Sequence, residues 1–239
     1  PDVDAPCVSR LYAAGGMMLG KTTSAAEWGW KGVSEAPISG ITHNPWGHGL
    51  NAGASSSGAG VGAACGYGPL HQGGDGAGSI RMPAHFSGVY GFKPTHGRVA
   101  SWPMSNNELA THIGPLTRSV EDAALMTEAM AGPHPWDYTS LEAPPQHYAG
   151  QLKAASLRGK RIALAENSPS HYFLLNMLVA GGVQPSEVKM DFTGTAFVAE
   201  NHEFVTRLRY FSETLNFNWN GWARSFNCFA VFIQHSANT

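Results

Sequence analysis

Residues 53–58 read Gly53-Ala-Ser-Ser-Ser-Gly58, and residues 73–81 read Gly73-Gly-Asp-Gly-Ala-Gly-Ser79-Ile-Arg81. We call them the first and the second serine loop. Glycines before a serine let the backbone approach a ligand closely and turn several N–H groups toward one point. The two loops therefore predict a nucleophilic serine beside an oxyanion hole. Gly and Ser are also the usual residues of flexible turns, so spacing alone leaves both interpretations open.

The segments around these loops alternate between helices and short apolar strands. Asp4 is predicted to cap a first helix, which ends before the apolar run at 17–19, a predicted buried strand. Ser119 and Asp122 predict a capping box for a later helix, and residues 161–165 predict another buried strand. Helices that alternate with apolar strands indicate an α/β layered architecture.

Composition is that of a globular enzyme. The chain has 239 residues, of which 43% are hydrophobic and 13% charged, enough to bury a sizeable core. Its formal charge of −2, without a basic stripe, argues against a nucleic-acid partner. The sequence shows no apolar run of membrane-spanning length, so we expect no membrane partner and a cytoplasmic location. The three cysteines form no C-x-x-C pair, which offers no metal or disulfide framework.

Two other kinds of site compete with the serine loops. Residues 15–22, Gly15-Gly-Met-Met-Leu-Gly-Lys-Thr22, fit the Walker A pattern, but a phosphate-binding loop follows a strand and opens a helix, whereas a helix is predicted before this one. A Ser-His-Asp triad with Asp75 lacks the G-x-S-x-G elbow. Five histidines of the same half of the chain lack the spacing of zinc ligands, so we expect no metal and no cofactor. They are His43, His48, His71, His85 and His96.

Further motifs follow one another in a fixed order. They are the Gly-Lys-Thr turn at 20–22, Thr42-His-Asn-Pro-Trp46, Gly78-Ser-Ile-Arg-Met-Pro-Ala84, Gly88-Val-Tyr-Gly-Phe-Lys-Pro-Thr-His-Gly-Arg98 and Gly114-Pro-Leu-Thr-Arg-Ser-Val-Glu-Asp-Ala-Ala124. Together with the serine loops, they resemble the amidase signature family over residues 4–165. The resemblance implies a layered mixed sheet flanked by helices, incomplete in this chain, and a small-molecule amide as substrate.

The resemblance also implies a mechanism and its residues. Ser79 would attack the amide carbonyl to form an acyl-enzyme, and Ser55, held by a cis peptide bond, would relay its proton to a lysine. The implied oxyanion donors are the N–H groups of Gly76, Ala77, Gly78 and Ser79. The implied supports of the loops are Ser56, Asp75 and Arg81.

The chain departs from the family pattern at the general base. The implied lysine lies upstream of the first helix, and no residue of this sequence matches that position; Lys21 belongs to the Gly-Lys-Thr turn, and a structural role is expected for Lys93. We therefore expect an N-terminally truncated fragment that is inactive by itself, whose exposed sheet edges favour a homo-oligomer. Ala77 replaces a glycine of the family loop and would strain a backbone with positive φ.

The resemblance to the amidase signature family ends near residue 166, which predicts a core at 1–165 and an uncertain segment at 166–239. Residues 168–197 resemble the substrate-binding components of nitrate- and sulfonate-type importers; an ordinary helix-strand unit of a divergent amidase explains the pattern equally well. The predicted inner face of the helix consists of Tyr172, Leu175, Leu178 and Val179. The alternative function to amide hydrolysis is a non-catalytic module that binds a small solute, or an inactive scaffold.

Overall fold

The computed structural model describes residues 2–25, 32–105, 110–142, 144–154, 156–166, 169–193, 207–208 and 232–234. The chain divides into two compact units, residues 1–153 and residues 154–239. By this division, the strand at 161–165 belongs to the second unit. No helix of the described ranges is long and apolar enough to cross a membrane.

The first unit holds a small antiparallel sheet, two hairpins and the helices that flank them. Its elements are α1 (Pro6–Ala13), β1 (Glu35–Ala36), β2 (Gly40–Ile41), β3 (His43–Asn44), β4 (Gly47–Asn51), α2 (Ser57–Cys65), β5 (Leu70–Asp75), α3 (Arg81–Ser87), β6 (Tyr90–Gly91), β7 (His112–Thr117), α4 (Val120–Met130) and α5 (Tyr148–Gln151). Strand β7 lies between β5 and β6, and both neighbours run antiparallel to it. Strands β1–β2 and β3–β4 form separate antiparallel pairs.

Helix α2 packs its backbone directly against its neighbours. A Cβ on Gly58 would lie 2.4 Å from the carbonyl oxygen of Thr23, and a Cβ on Gly60 would lie 3.0 Å from Pro83. The close backbone packing that the small residues of this segment predict is therefore confirmed. The adjoining core cluster consists of Ala59, Ala63, Ile80, Ala84, Val89 and Leu116.

Helix α4 begins as predicted, because the Ser119 hydroxyl accepts a hydrogen bond from the backbone N–H of Asp122 at 3.0 Å. The start of α1 differs from its prediction. Its N-cap is Ala5, without a side-chain cap, and Asp4 lies one residue too early. Pro6 begins this helix, and the fixed φ of proline suits that first position.

The apolar run at 17–19 is not the predicted buried strand. Met17, Met18 and Leu19 are 83%, 55% and 77% exposed. An apolar run becomes a buried strand only where a neighbour pairs with it, and no described strand does so here. The Walker A pattern lacks its structural context as well, because helix α1 precedes it and residues 20–25 form no helix.

The second unit contains a parallel strand–helix–strand arrangement. Its elements are β8 (Arg161–Ala165), α6 (Pro169–Ala180), β9 (Lys189–Thr193), β10 (Arg207–Leu208) and β11 (Phe232–Gln234). Strands β8 and β9 pair in parallel, and β11 pairs antiparallel with β8 on its other side. The predicted strand at 161–165 and the helix, turn and strand that follow it are confirmed. Residues 194–197 of the importer-like motif lie outside the described residues.

The predicted inner face of α6 is partly wrong. Leu174 and Leu178 are 2% and 1% exposed and pack on Ile162 of β8, whereas Tyr172 and Val179 are 70% and 61% exposed. The helix is apolar almost all round, so hydropathy gives no strong preference for one face. Packing on the strand selects the side that becomes buried.

Candidate active site

The second serine loop connects the end of strand β5 to helix α3. Asp75 is the last residue of β5, Ser79 follows in the turn, and Arg81 begins α3. Gly78 has φ +115°, a left-handed backbone in which a Cβ would also lie 3.1 Å from Met82. Only 8% of Ser79 is exposed. The loop therefore presents a largely buried hydroxyl directly before a helix.

Asp75 organises this loop from inside. Its fully buried carboxylate accepts backbone N–H bonds from Gly78 at 2.8 Å, Ile80 at 3.1 Å and Arg81 at 3.3 Å. The Arg81 guanidinium adds a bidentate pair, with Nε at 2.9 Å and Nη2 at 2.8 Å. Burial alone would raise the pKa of Asp75, but the Arg81 bonds and charge and the backbone donors outweigh it, so this pKa lies below its usual range.

The carboxylate of Asp75 is thus directed to Arg81 and to the loop rather than to a histidine. His112 is close to Asp75, but its Nδ1 atom lies 3.2 Å from the backbone oxygen of Asp75. Asp75 therefore holds the geometry of the loop, and the described residues form no Ser-His-Asp triad around it.

Three of the four expected oxyanion donors are available. The N–H of Gly78 is already engaged with Asp75, because the turn folds back onto that carboxylate. Within the described part of the chain, no hydrogen bond is recorded from the N–H groups of Gly76, Ala77 and Ser79. These three amides follow one another closely beside the Ser79 hydroxyl.

The first serine loop touches the second at the two expected catalytic residues. The backbone N–H of Ser55 donates to Oγ of Ser79 at 3.4 Å, and Oγ of Ser24 donates to the carbonyl oxygen of Ser55 at 2.9 Å. Gly53 makes this approach possible, since its φ is +102° and a Cβ there would lie 2.6 Å from Pro83 of α3. Sequence reasoning did not find Ser24, because its contact with Ser55 depends on the path of residues 20–25.

The peptide bond before Ser55 is not the cis bond that the resemblance implied. Within the described ranges, the cis peptide bond joins Trp102 to Pro103. The trans form is the ordinary state of a bond before a residue other than proline, favoured by about 3 kcal/mol. The contact recorded between the two serines therefore runs through the N–H of Ser55.

Ser56 links the first serine loop to strand β5. Its hydroxyl donates to the carbonyl oxygen of Gly74 and accepts from the N–H of Gly74, both at 3.1 Å. Strand β5 is an edge strand, so its outward backbone groups at Gly74 depend on this side chain. Ser56 is 8% exposed.

A buried Lys-His pair lies at the end of the same sheet. Lys93 is 6% exposed, and its Nζ lies 3.0 Å from Nε2 of His112. Sequence reasoning missed His112, because the register of β5 on β7, which pairs it with Asp75, is needed to find it. Lys21 is exposed on the segment after α1.

The histidines that suggested a metal do not form a ligand cluster in the described ranges. No three His, Cys, Asp or Glu side chains among those residues are grouped to hold an ion. His43 and His48 do meet, but as stacked rings with centroids 3.6 Å apart, which directs their nitrogens away from a shared point.

Comparison with known proteins gives one consistent result. The Amidase family description matches residues 1–211. An acylamidase of Rhodococcus erythropolis is 43% identical over 166 residues, which are 69% of this chain and 34% of the relative. A glutamyl-tRNA(Gln) amidotransferase subunit of Deinococcus radiodurans is 41% identical over 165 residues, with the same two shares. The chain thus spans about a third of the length of these curated relatives.

Solved structures share the fold over most of this chain. The 6-aminohexanoate cyclic dimer hydrolase, complexed with substrate, has a TM-score of 0.70 at 29% identity and covers 82% of this chain and 44% of its own. A bacterial aryl acylamidase has a TM-score of 0.66 at 28% identity, with shares of 80% and 40%. The predicted α/β fold is confirmed. The family match extends beyond residue 166, while the importer-like resemblance stays a prediction.

Proposed function

Because this chain belongs to the Amidase family, we propose that it carries the serine site of an enzyme that hydrolyses carboxylic amides through an acyl-enzyme. The observation that carries the proposal is the meeting of the two serine loops, where the N–H of Ser55 reaches Oγ of Ser79. Beside that hydroxyl lie the N–H groups of Gly76 and Ala77, which have no acceptor among the described residues.

Ser79 is the nucleophile of the proposed reaction. Its Oγ forms a bond to the amide carbon, and its proton passes through the Ser55 hydroxyl to the basic group, for which the resemblance implies a lysine. The N–H of Ser55 already points at Oγ of Ser79, so it stabilises the negative charge that develops there. The tetrahedral intermediate expels the amine with that proton, and water then hydrolyses the acyl-enzyme.

The oxyanion is held by backbone amides that are fixed before the substrate arrives. We assign this role to Gly76, Ala77 and Ser79 and withdraw Gly78, whose N–H is used by Asp75. In well-studied hydrolases one such donor contributes about 3 kcal/mol to catalysis. The Asp75–Arg81 pair keeps the turn closed, and this preorganisation is what makes the amides effective.

Lys93 is not assigned as the base of this reaction. Its ammonium group lies 3.0 Å from His112, within a buried contact at the end of strand β7. The substrate class that we propose is a small N-acyl amide, in keeping with the acylamidase and aryl acylamidase relatives. Relatives of similar identity are amidotransferase subunits, so an amidated partner is the competing substrate class.

The test is hydrolysis of an acyl anilide by the 239-residue chain, followed as release of the aniline. We expect release by the wild type, loss on Ser79→Ala, and no change on Ser9→Ala, a serine on the exposed side of α1. Release that survives Ser79→Ala would contradict the assignment of the nucleophile. Saturable binding of the anilide without product would favour the non-catalytic binding module instead.

A further inference from the structure

The Lys93–His112 contact lies directly behind the second serine loop. The sheet register pairs Asp75 of β5 with His112 of β7, so the end of one strand is fixed against the start of the other. Nδ1 of His112 lies 3.2 Å from the carbonyl oxygen of Asp75 and 2.9 Å from that of Ala110. On the other side of the ring, Nε2 of His112 lies 3.0 Å from Nζ of Lys93.

These partners define the protonation of the ring. Carbonyl oxygens only accept, so Nδ1 of His112 carries a hydrogen and donates it, and Nε2 is left to accept from the ammonium of Lys93. Burial, with the charge of Lys93 as the next cause, lowers the pKa of His112 to about 4. The imidazole is therefore neutral near pH 7, the form that both contacts require.

The carbonyl that His112 reaches belongs to a catalytically important peptide unit. The C=O of Asp75 and the N–H of Gly76 share one amide plane, and Gly76 is a proposed oxyanion donor. A hydrogen bond to a carbonyl polarises its peptide and makes the N–H of that peptide a stronger donor. Charge on Lys93 is thus connected to the oxyanion loop by two consecutive hydrogen bonds.

We infer that His112, held by Lys93, is a positioning residue that orients and polarises the Asp75–Gly76 peptide for oxyanion binding. The inference rests on the proposed function. It adds two residues to the machinery behind the loop, neither of which touches the substrate. Loss of the imidazole would leave the sheet pairing of β5 and β7 in place and would weaken a single amide donor.

The experiment compares His112→Leu with His112→Gln, whose amide can still donate to the carbonyl. The first readout is the amide ¹H and ¹⁵N shift of Gly76 in the free protein, which reports polarisation of that peptide without any catalysis. The second is the rate at which a fluorophosphonate labels Ser79. The matched control is His147→Leu, at a histidine that is 93% exposed beside Glu128.

We expect His112→Leu to move the Gly76 amide upfield and to slow labelling about tenfold, less than the loss of a whole oxyanion donor. His112→Gln should restore most of both, and Lys93→Met should shift Gly76 in the same direction by a smaller amount. If His112→Leu fails to fold, Lys93→Met and His112→Gln carry the same comparison.

An unchanged Gly76 amide in His112→Leu, or in Lys93→Met where the first variant does not fold, would overturn the inference. Equal slowing by His112→Leu and His112→Gln, with Gly76 restored only in the second, would also overturn it, because polarisation would then be irrelevant to the rate. If no protein is labelled but Gly76 still shifts as expected, the proposed function fails while the link from His112 to the peptide stands.

Discussion

The backbone N–H of Ser55 donates a hydrogen bond to Oγ of Ser79 across 3.4 Å. This contact joins two loops that are distant in sequence, and each loop is held by other groups. Ser24 fixes the carbonyl of Ser55, and Asp75 fixes the turn before Ser79. The position of the nucleophile therefore depends on residues that need not meet the substrate.

Gly53 controls how closely the first serine loop approaches helix α3. The variant Gly53→Ala combines a left-handed φ of +102° with a Cβ 2.6 Å from Pro83, so it should destabilise the protein by about 3 kcal/mol. Urea unfolding measures this loss. The matched control is Gly159→Ala, at φ +71° in open space, which should cost only about 1 kcal/mol. Equal losses would show that Pro83 yields and that the close approach is not required.

Ser56 should stabilise the protein through Gly74. Its replacement by alanine leaves the N–H and the C=O of Gly74 without their side-chain partner, at a cost of about 1–3 kcal/mol in the free energy of unfolding. The exposed Ser9→Ala variant is the control and should stay within about 0.5 kcal/mol of the wild type. A loss for Ser56→Ala no larger than this would mean that water replaces the hydroxyl at the strand edge.

Asp75 should be the most sensitive position of the second serine loop. Asp75→Ala leaves the Arg81 charge without its buried partner and three loop amides without an acceptor, so we expect a loss of about 3–5 kcal/mol. Urea unfolding compares it with Asp191→Ala, which breaks a half-exposed pair with Arg161 and should cost less than about 1 kcal/mol. Similar losses would contradict the central role of Asp75.

The early part of the fold was predictable where the signal is local. Ser119 caps α4 because a serine hydroxyl can reach an amide three residues ahead, and residues 161–165 form a strand because a short apolar run has few alternatives. Signals that need a partner gave less. The run at 17–19 is apolar but unpaired in the described part of the chain, and the inner face of α6 is selected by β8.

The site shows the same division. Both serines and their glycines are visible in the sequence, because close backbone approach restricts residue type over a few positions. The allocation of individual amides was not predictable, since the carboxylate of Asp75 takes the N–H of Gly78 only once the turn is closed. His112 is found only through the antiparallel register of β5 and β7.

The pH dependence of stability should report His112. Its pKa is about 4 in the folded protein and about 6.5 in the unfolded chain, so the unfolded chain binds the proton first as the pH falls. This contribution is fully present above about pH 6.5 and is lost between about pH 6.5 and 4, up to about 3 kcal/mol.

Urea unfolding of the wild type and His112→Gln across that range measures this contribution. Burial also lowers the pKa values of His71 and His85, so the difference between the two proteins isolates His112. The variant should lose less stability on acidification. Parallel curves would contradict a buried neutral imidazole at this position.

The most direct test of the account is the intact mass of the protein after incubation with a fluorophosphonate, followed by peptide mapping. If the two serine loops form a nucleophile site, one adduct should appear on Ser79, and both Ser79→Ala and prior unfolding in urea should remove it, while Ser9→Ala should not. An adduct on another serine, or none on the folded protein, would contradict the claim that these loops assemble a reactive serine.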